Sequence, residues 1–350
     1  MNRVLVTGGA GFIGSHTCLS LIQSGYDIYI IDSYINSSPK SLQRVKEISE
    51  KNQVDISGKI HIFKGDLRDR SFVENIFENL RFQGKQIDGV IHFAGLKSVS
   101  ESIKKPLEYW DYNVKSTLNL LQVMQKFNCK TIVFSSSATI YDQNNDNKIK
   151  ENNKVKPINP YGETKLVIEK LLNDLFNSTS GWRIANLRYF NPIGAHDLGL
   201  IGEDPKGKPN NIFPTLMQVA LGNLSKIKIF GNDWPTKDGT AIRDYIHVMD
   251  LAEGHIFAYE FLKEHKPQII NLNLGTGLGT TVLELINIFQ EENKINIPFE
   301  FIERRKGDYG VVVADNSLAI SLLKWQPKRN LRDMCKDGWN WQAKNPLGYQ

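Results

Sequence analysis

A strand-like run, Arg3-Val4-Leu5-Val6, breaks directly into Thr7-Gly8-Gly9-Ala10-Gly11-Phe12-Ile13-Gly14. Glycines at 8, 11 and 14 permit a tight strand-to-helix turn and a close backbone approach to a diphosphate. The helix expected from about Phe12 to Ser24 aims its free N–H groups at that anion, and Gly25 stops it. Asp27 to Ile31 reads as the next strand, ending at Asp32, about 20 residues past the glycines. A carboxylate there accepts both hydroxyls of the adenosine ribose and repels a 2′-phosphate, which selects NAD over NADP. Strand, glycine turn, helix, strand and terminal acid in this order commit the start of the chain to a dinucleotide-binding βαβ unit.

The alternation continues. Ile60 to Phe63 is a strand running into Gly65-Asp66-Leu67, with the acid placed for an adenine amino group. Val90 to Phe93 is followed by Ala94-Gly95, small residues that leave room for a ligand, and then by Lys97, placed to meet phosphate or ribose. His92 lies inside that strand and reads as a packed core histidine. A long helix is expected from about Leu107 to Phe127, carrying Tyr112 and Asn113. Strand Thr131 to Phe134 ends in Ser135-Ser136-Ser137, hydroxyls suited to gripping a substrate alcohol, and Ile184 to Leu187 adds a sixth strand. The fold class is therefore α/β, a doubly wound parallel sheet with right-handed crossovers. Beyond Tyr189 loops multiply and helices shorten. A Rossmann domain is expected over 1–189, with the chain returning to it at about 240–275. A smaller mixed α/β domain takes 190–239 and 276–350.

Composition removes several classes. The net charge of +5 is modest and shows no Lys/Arg run of the nucleic-acid kind. No apolar run approaches the roughly 20 residues of a membrane span. No signal peptide precedes the first strand, so a cytoplasmic location is expected. Cys18, Cys129 and Cys335 are scattered and odd in number, neither a disulfide framework nor a metal site. His196, His247 and His255 lack ligand company, so no metal is expected.

The chemistry points to Pro160-Tyr161-Gly162-Glu163-Thr164-Lys165. Tyr161 and Lys165 open an apolar helical pattern and project from one face, one turn apart. A phenol titrates near pH 10, and bringing it to about 7 needs roughly 4 kcal/mol. The Lys165 ammonium, the helix N-terminus and a bound cationic nicotinamide are the expected sources. Alone, such a pair reads more readily as a solvated helix face.

Together TGGAGFIG, Asp32, Ser135 to Ser137 and Tyr161-x-x-x-Lys165 resemble the extended short-chain dehydrogenases/reductases. The stretches FAGLK (93–97), SSSATIY (135–141), RYFNPIGAH (188–196) and DGTAIRDYIHVMD (238–250) are more selective. They resemble the UDP-glucose 4-epimerase family over nearly the whole chain. The resemblance implies Ser137, Tyr161 and Lys165 as catalytic residues. It implies NAD held by Gly8, Gly11, Phe12, Ile13, Gly14, Asp32, Asn36, Ser37, Asp66, Leu67, Phe93, Ala94, Gly95, Lys97, Asn113, Ser135, Tyr161, Lys165 and Tyr189. It implies a UDP-hexose substrate met by Lys97, Ser137, Tyr161, Phe190, Asn191, Asn211, Arg243, Arg305, Asp308 and Val312, and a homodimer built on a helix pair. Tyr161 would take the proton of the sugar 4-hydroxyl while hydride leaves C4; return of hydride to the other face inverts the centre with no net oxidation, so NAD stays bound.

Two positions depart from the family pattern. Asp142 stands where glycine is usual, and Val312 stands where a large tyrosine accompanies simple hexoses and smaller residues accompany N-acetylhexosamines. Three alternatives stay open. A 4,6-dehydratase would want carboxylates beside the active-site hydroxyl, where this chain has Ser137-Ala138-Thr139. A silent NAD-binding regulator would be expected to lack Tyr161 or Lys165. A net dehydrogenase or reductase would exchange its nicotinamide freely.

Overall fold

The computed structural model describes residues 3–142, 148–207, 209, 211–305 and 307–350. The strands are β1 Arg3–Thr7, β2 Asp27–Asp32, β3 Ile60–Lys64, β4 Gly89–His92, β5 Thr131–Ser137, β6 Arg183–Tyr189, β7 Asn191–Ile193, β8 Ile227–Phe230, β9 Ile242–His247, β10 Ile269–Leu274, β11 Gly279–Thr281, β12 Phe299–Ile302 and β13 Val311–Val312. The helices are α1 Phe12–Gln23, α2 Pro39–Lys51, α3 Arg70–Phe82, α4 Val99–Lys104, α5 Pro106–Tyr109, α6 Ser116–Lys126, α7 Pro160–Ser178, α8 Ile212–Ala220, α9 Val248–Glu264, α10 Val282–Asn293, α11 Ser317–Leu323 and α12 Leu331–Lys344.

Seven strands form one parallel sheet in the order β10-β6-β5-β4-β1-β2-β3. Val4, Leu5, Val6, Val90, Ile91, Ile132 and Val133 are fully buried, as expected for strands covered on both faces. On one face Leu19 and Ile22 of α1, Val45 of α2 and Leu251 of α9 pack with Val4, Val6 and Ile28. On the other, Val73 and Phe77 of α3, Leu120 of α6 and Ile168 of α7 pack with Leu5, Val90 and Ile132. Strand order reverses at β1, which lies between β2 and β4. In such sheets the crevice outside the carboxyl ends at that point is where a ligand sits.

Two smaller sheets follow. β9 pairs antiparallel with β11 and parallel with β13 and β7; β12 pairs with β8. Phe213, Leu216, Leu285, Phe289 and Met334 form their core with α8, α10 and α12. β10 joins the large sheet beside β6, and β9 belongs to the smaller one.

Several elements differ from the sequence expectation in extent. The helix expected over 107–127 begins at Pro106 and contains a π-helical stretch, Trp110–Lys115, between α5 and α6. Such wide turns occur mostly at functional sites. This one carries Asn113, whose buried amide clips the turn at Leu96 instead of the helix backbone. β5 runs on through all three serines and β6 through Tyr189, because cross-strand pairing with each other continues to Ser137 and Tyr189. Of the loop expected over 143–156, residues 143–147 lie outside the described residues. Asp142 pairs its backbone N–H with the Lys154 carbonyl.

Candidate active site

One cavity of about 810 Å³ runs from the glycine turn along the carboxyl ends of the sheet to the smaller sheets. Gly8, Gly11, Phe12, Ile13 and Gly14 form one end. Gly8 has φ 69°, and a Cβ there would lie 2.8 Å from the Ala94 backbone nitrogen. A Cβ on Gly14 would lie 2.2 Å from the Gly8 carbonyl oxygen. No side chain caps the start of α1, so its first N–H groups remain for an anion. Asp32 ends β2; its Oδ2 accepts from Ala10 N at 2.9 Å, and its Oδ1 from Tyr34 N at 2.8 Å and Ser37 Oγ at 2.7 Å. An uncapped helix start beside a strand-terminal carboxylate fits a dinucleotide. Asn36, Asp66, Leu67, Phe93, Ala94, Gly95, Lys97, Ser135 and Tyr189 line the same cavity. Asp66 is held by Arg68, which keeps its carboxyl below the usual range.

Ser137, Tyr161 and Lys165 stand midway along it. Asn159 caps α7 by accepting from Gly162 N at 2.9 Å, and Pro160 takes the first helical position. A Cβ on Gly162 would lie 2.8 Å from the Thr139 carbonyl oxygen, so glycine is what lets α7 start against the turn after β5. The Tyr161 phenol interacts with the Ser137 hydroxyl. Ser137 Oγ accepts from Thr139 N at 3.2 Å and from Thr139 Oγ1 at 3.0 Å. With its acceptor sites taken, its proton is free to donate into the cavity. Lys165 Nζ donates to the Ser135 carbonyl at 2.6 Å and lies 5.8 Å from the Tyr161 ring centroid.

Burial dominates the electrostatics of the pair. Burial raises the Tyr161 phenol above its ordinary value, and only Ser137 opposes it. Burial also pushes Lys165 down, to about 7, with Glu169 pulling the other way. Both groups are out of water, so each charged form bears a desolvation cost that the pair alone does not cancel. Helix and lysine therefore do not by themselves make a phenolate.

Behind this wall Glu169 and Arg188 form a buried bidentate pair. Arg188 Nε donates to Oε1 at 3.0 Å and Nη2 to Oε2 at 2.7 Å, while Ser136 Oγ donates to Oε1 at 2.5 Å. The pair ties α7 to β5 and β6.

At the far end lie Phe190, Asn191, Asn211, Arg243, Arg305 and Asp308. Arg243 Nη1 donates to the Ile242 and Tyr309 carbonyls at 2.9 and 3.0 Å. The Arg305 guanidinium lies 3.6 Å over the Phe230 ring. Burial lowers both arginines, and Asp308 offsets it. An anion here relieves two converging cations, and arginine suits a diphosphate.

Two expected residues do not line the cavity. Asn113 is buried, with Oδ1 accepting from Leu96 N at 2.7 Å and Nδ2 donating to Thr164 Oγ1 at 3.0 Å, so it shapes the Leu96 turn. Val312 packs in a buried cluster with Phe190, Ala138 and Leu166. Conversely, Thr139, Lys228, Phe230, Tyr245, Glu203 and Tyr349 line the cavity without having been expected as site residues. Thr139 had a signal in its place two residues after Ser137, and Tyr245 in its place within the 238–250 stretch. His92 is a core residue, bonded between Thr7 and Thr117 hydroxyls at 2.7 and 2.9 Å. The three cysteines are buried free thiols. Among the described residues no helix is long and apolar enough to cross a membrane.

Comparison with known proteins decides the family. The model described as GDP-mannose 4,6 dehydratase matches residues 5–338. UDP-glucose 4-epimerase 2 of Arabidopsis thaliana is 48% identical over 346 residues, covering 99% of this chain and 96% of its own length. The chain belongs to the UDP-glucose 4-epimerase family. The family's solved structures share the fold. The enzyme from Stenotrophomonas maltophila, crystallised with NAD and formylated UDP-arabinopyranose, superposes with a TM-score of 0.93 at 44% identity over 99% of each chain. That from Bifidobacterium longum, with NAD+ and UDP, gives 0.91 at 45% over 99% of this chain and 100% of its own.

Proposed function

We propose that the protein is an NAD-dependent 4-epimerase interconverting UDP-glucose and UDP-galactose. One observation carries the reading: a single cavity joins a dinucleotide cradle, a Ser137–Tyr161–Lys165 cluster and an arginine pair, in that order. Bound at the cradle, NAD supplies a reversible hydride acceptor for the sugar C4. Residues 1–189 hold the cofactor; 190–239 and 276–350, together with β9, supply the UDP-sugar side. Arg243 and Arg305 clamp the diphosphate with Asp308 beside them, leaving the neutral hexose free to turn. Ser137 donates to the O4 oxygen and orients it. Tyr161 accepts the O4 proton and returns it after the sugar has turned. Burial holds its phenol raised; Lys165 is one positive charge that would favour the ionised form, and an oxidised nicotinamide held at the cradle would add a second. Purified protein incubated with UDP-galactose and no added cofactor should yield UDP-glucose. Accumulation of a 4-keto-6-deoxy product, or no product at all, would reject the assignment.

A second substrate pair rests on Val312. A small side chain packed behind Phe190 leaves that wall open to adjustment around the sugar 2-position. UDP-GalNAc should then be converted to UDP-GlcNAc in the same assay, and an inert N-acetyl substrate removes this extension.

The active form in this reading is a homodimer. Ile103, Leu107 and Leu118 are 64, 81 and 41% exposed along α4 to α6, an unpartnered apolar stripe beside α7. A second copy of the same helices covers it most simply. Light scattering should give twice the chain mass of 39.8 kDa, and Leu107→Lys with Leu118→Glu should return it to one. A parent protein that already runs at one chain mass contradicts this.

A further inference from the structure

The loops after β2 and β4 flank the glycine turn, and one segment of the smaller domain reaches both. Lys206 Nζ donates to the Tyr34 and Ile35 carbonyls at 2.6 and 3.2 Å, and its backbone N–H to Asn36 Oδ1 at 3.2 Å. Glu203 pairs with Lys97 Nζ at 2.7 Å. Between these points Gly202, Glu203, Asp204 and Pro205 line the cavity. The segment thus spans the crevice directly above the dinucleotide cradle.

Tyr349 pins its near end. The phenol oxygen accepts from Gly202 N at 3.0 Å and donates to the Gly202 carbonyl at 3.1 Å, and Tyr349 N donates to Asp204 Oδ2 at 2.9 Å. Its ring packs 4.6 Å from Trp341, whose Nε1 donates to the Glu203 carbonyl at 3.3 Å. The Arg44 guanidinium of α2 sits 5.3 Å from both rings. A Cβ on Gly202 would lie 2.3 Å from the Trp341 ring, so glycine lets the segment lie flat on it.

We propose that Gly202 to Lys206 is a strap closed over the cofactor, and that Tyr349 is the positioning residue that holds it shut. This rests on the NAD reading above. The strap clips to backbone carbonyls on one side and to Lys97 on the other. Cofactor departure therefore requires these bonds to open, whereas the UDP-sugar end is lined by Arg243 and Arg305, which take no part in them. Such a gate suits an enzyme that regenerates its cofactor in every cycle and gains nothing by releasing it.

The test is exchange of bound NAD for radiolabelled NAD in the purified holoenzyme, with UDP affinity measured by calorimetry on the same samples. Tyr349→Phe keeps the ring and loses both Gly202 bonds; Lys206→Ala, at the surface, unclips the other end. Each should speed exchange about tenfold, the scale of two modest hydrogen bonds, and the pair of changes together should speed it further. UDP affinity should stay at the parent value, which a general loosening of the fold would not allow. Unchanged exchange in both variants, or exchange that rises only as UDP affinity falls, overturns the strap. A protein that neither carries nor takes up NAD overturns the cofactor reading and the strap with it.

Discussion

Tyr161→Phe lowers kcat with UDP-galactose by about 10³-fold, within the range a positioned general acid–base supplies, while NAD content and UDP affinity hold. The substitution removes one oxygen and keeps the ring that stands at the start of α7. Its two partners in the cluster are already engaged. Ser137 Oγ already accepts from both Thr139 N and Thr139 Oγ1, and Lys165 Nζ is engaged with the Ser135 carbonyl. The phenol is raised by burial, so activity should fall on the acid side as Tyr161 keeps its proton. In Ser137→Ala a hydrogen bond that lowers the phenol is gone, and that acid limb should move to higher pH. Steady-state rates across pH, with calorimetric UDP titration as the control, check both. A Tyr161→Phe rate within tenfold of the parent would reject the proton-transfer role.

Gly14→Ala should leave the protein folded and nearly free of NAD. The added Cβ would lie 2.2 Å from the Gly8 carbonyl oxygen and 2.8 Å from the Gly9 Cα. Both are backbone atoms and cannot swing aside. The turn must spread, moving the start of α1 from the position in which its N–H groups face the diphosphate. The cost to stability is that of one overpacked methyl, about 1–3 kcal/mol. The effect on the cofactor is larger, since binding requires the whole cradle at once. Absorbance at 260 nm and enzymatic assay of released nucleotide should show about one NAD per chain in the parent and under a tenth in the variant. Full occupancy in Gly14→Ala would mean that the turn tolerates the methyl group and that the cradle lies elsewhere.

The large sheet was legible because its strands are buried on both faces, and such strands write their burial as unbroken Val/Ile/Leu runs. The cofactor cradle was legible for a stricter reason: Gly8 and Gly14 stand where a Cβ meets backbone. Local patterning showed less where contacts come from afar. Thr139 and Lys206 act through distant or short-range bonds that leave no periodic trace, and Tyr349 reaches its place only because α12 delivers it. Asn113 lies next to cavity-lining Tyr112 in sequence, yet its side chain turns inward to Leu96 and Thr164. Val312 shows the same limit, since a residue's number does not tell whether it faces the crevice or supports Phe190 from behind. Spacing put Tyr161 and Lys165 on one helix face, but it carries no information about how much water the two groups lose, and that loss shifts both.

The Glu169–Arg188 pair restricts how this chain can change over time. Removing either partner strands a bare charge in the interior, a loss of about 3–5 kcal/mol, while exchanging both for apolar residues can be close to neutral. Stepwise drift through a single substitution is blocked on either route. Positions 169 and 188 are thus locked as a unit, and any lineage or designer wishing to alter one must cross in a double step.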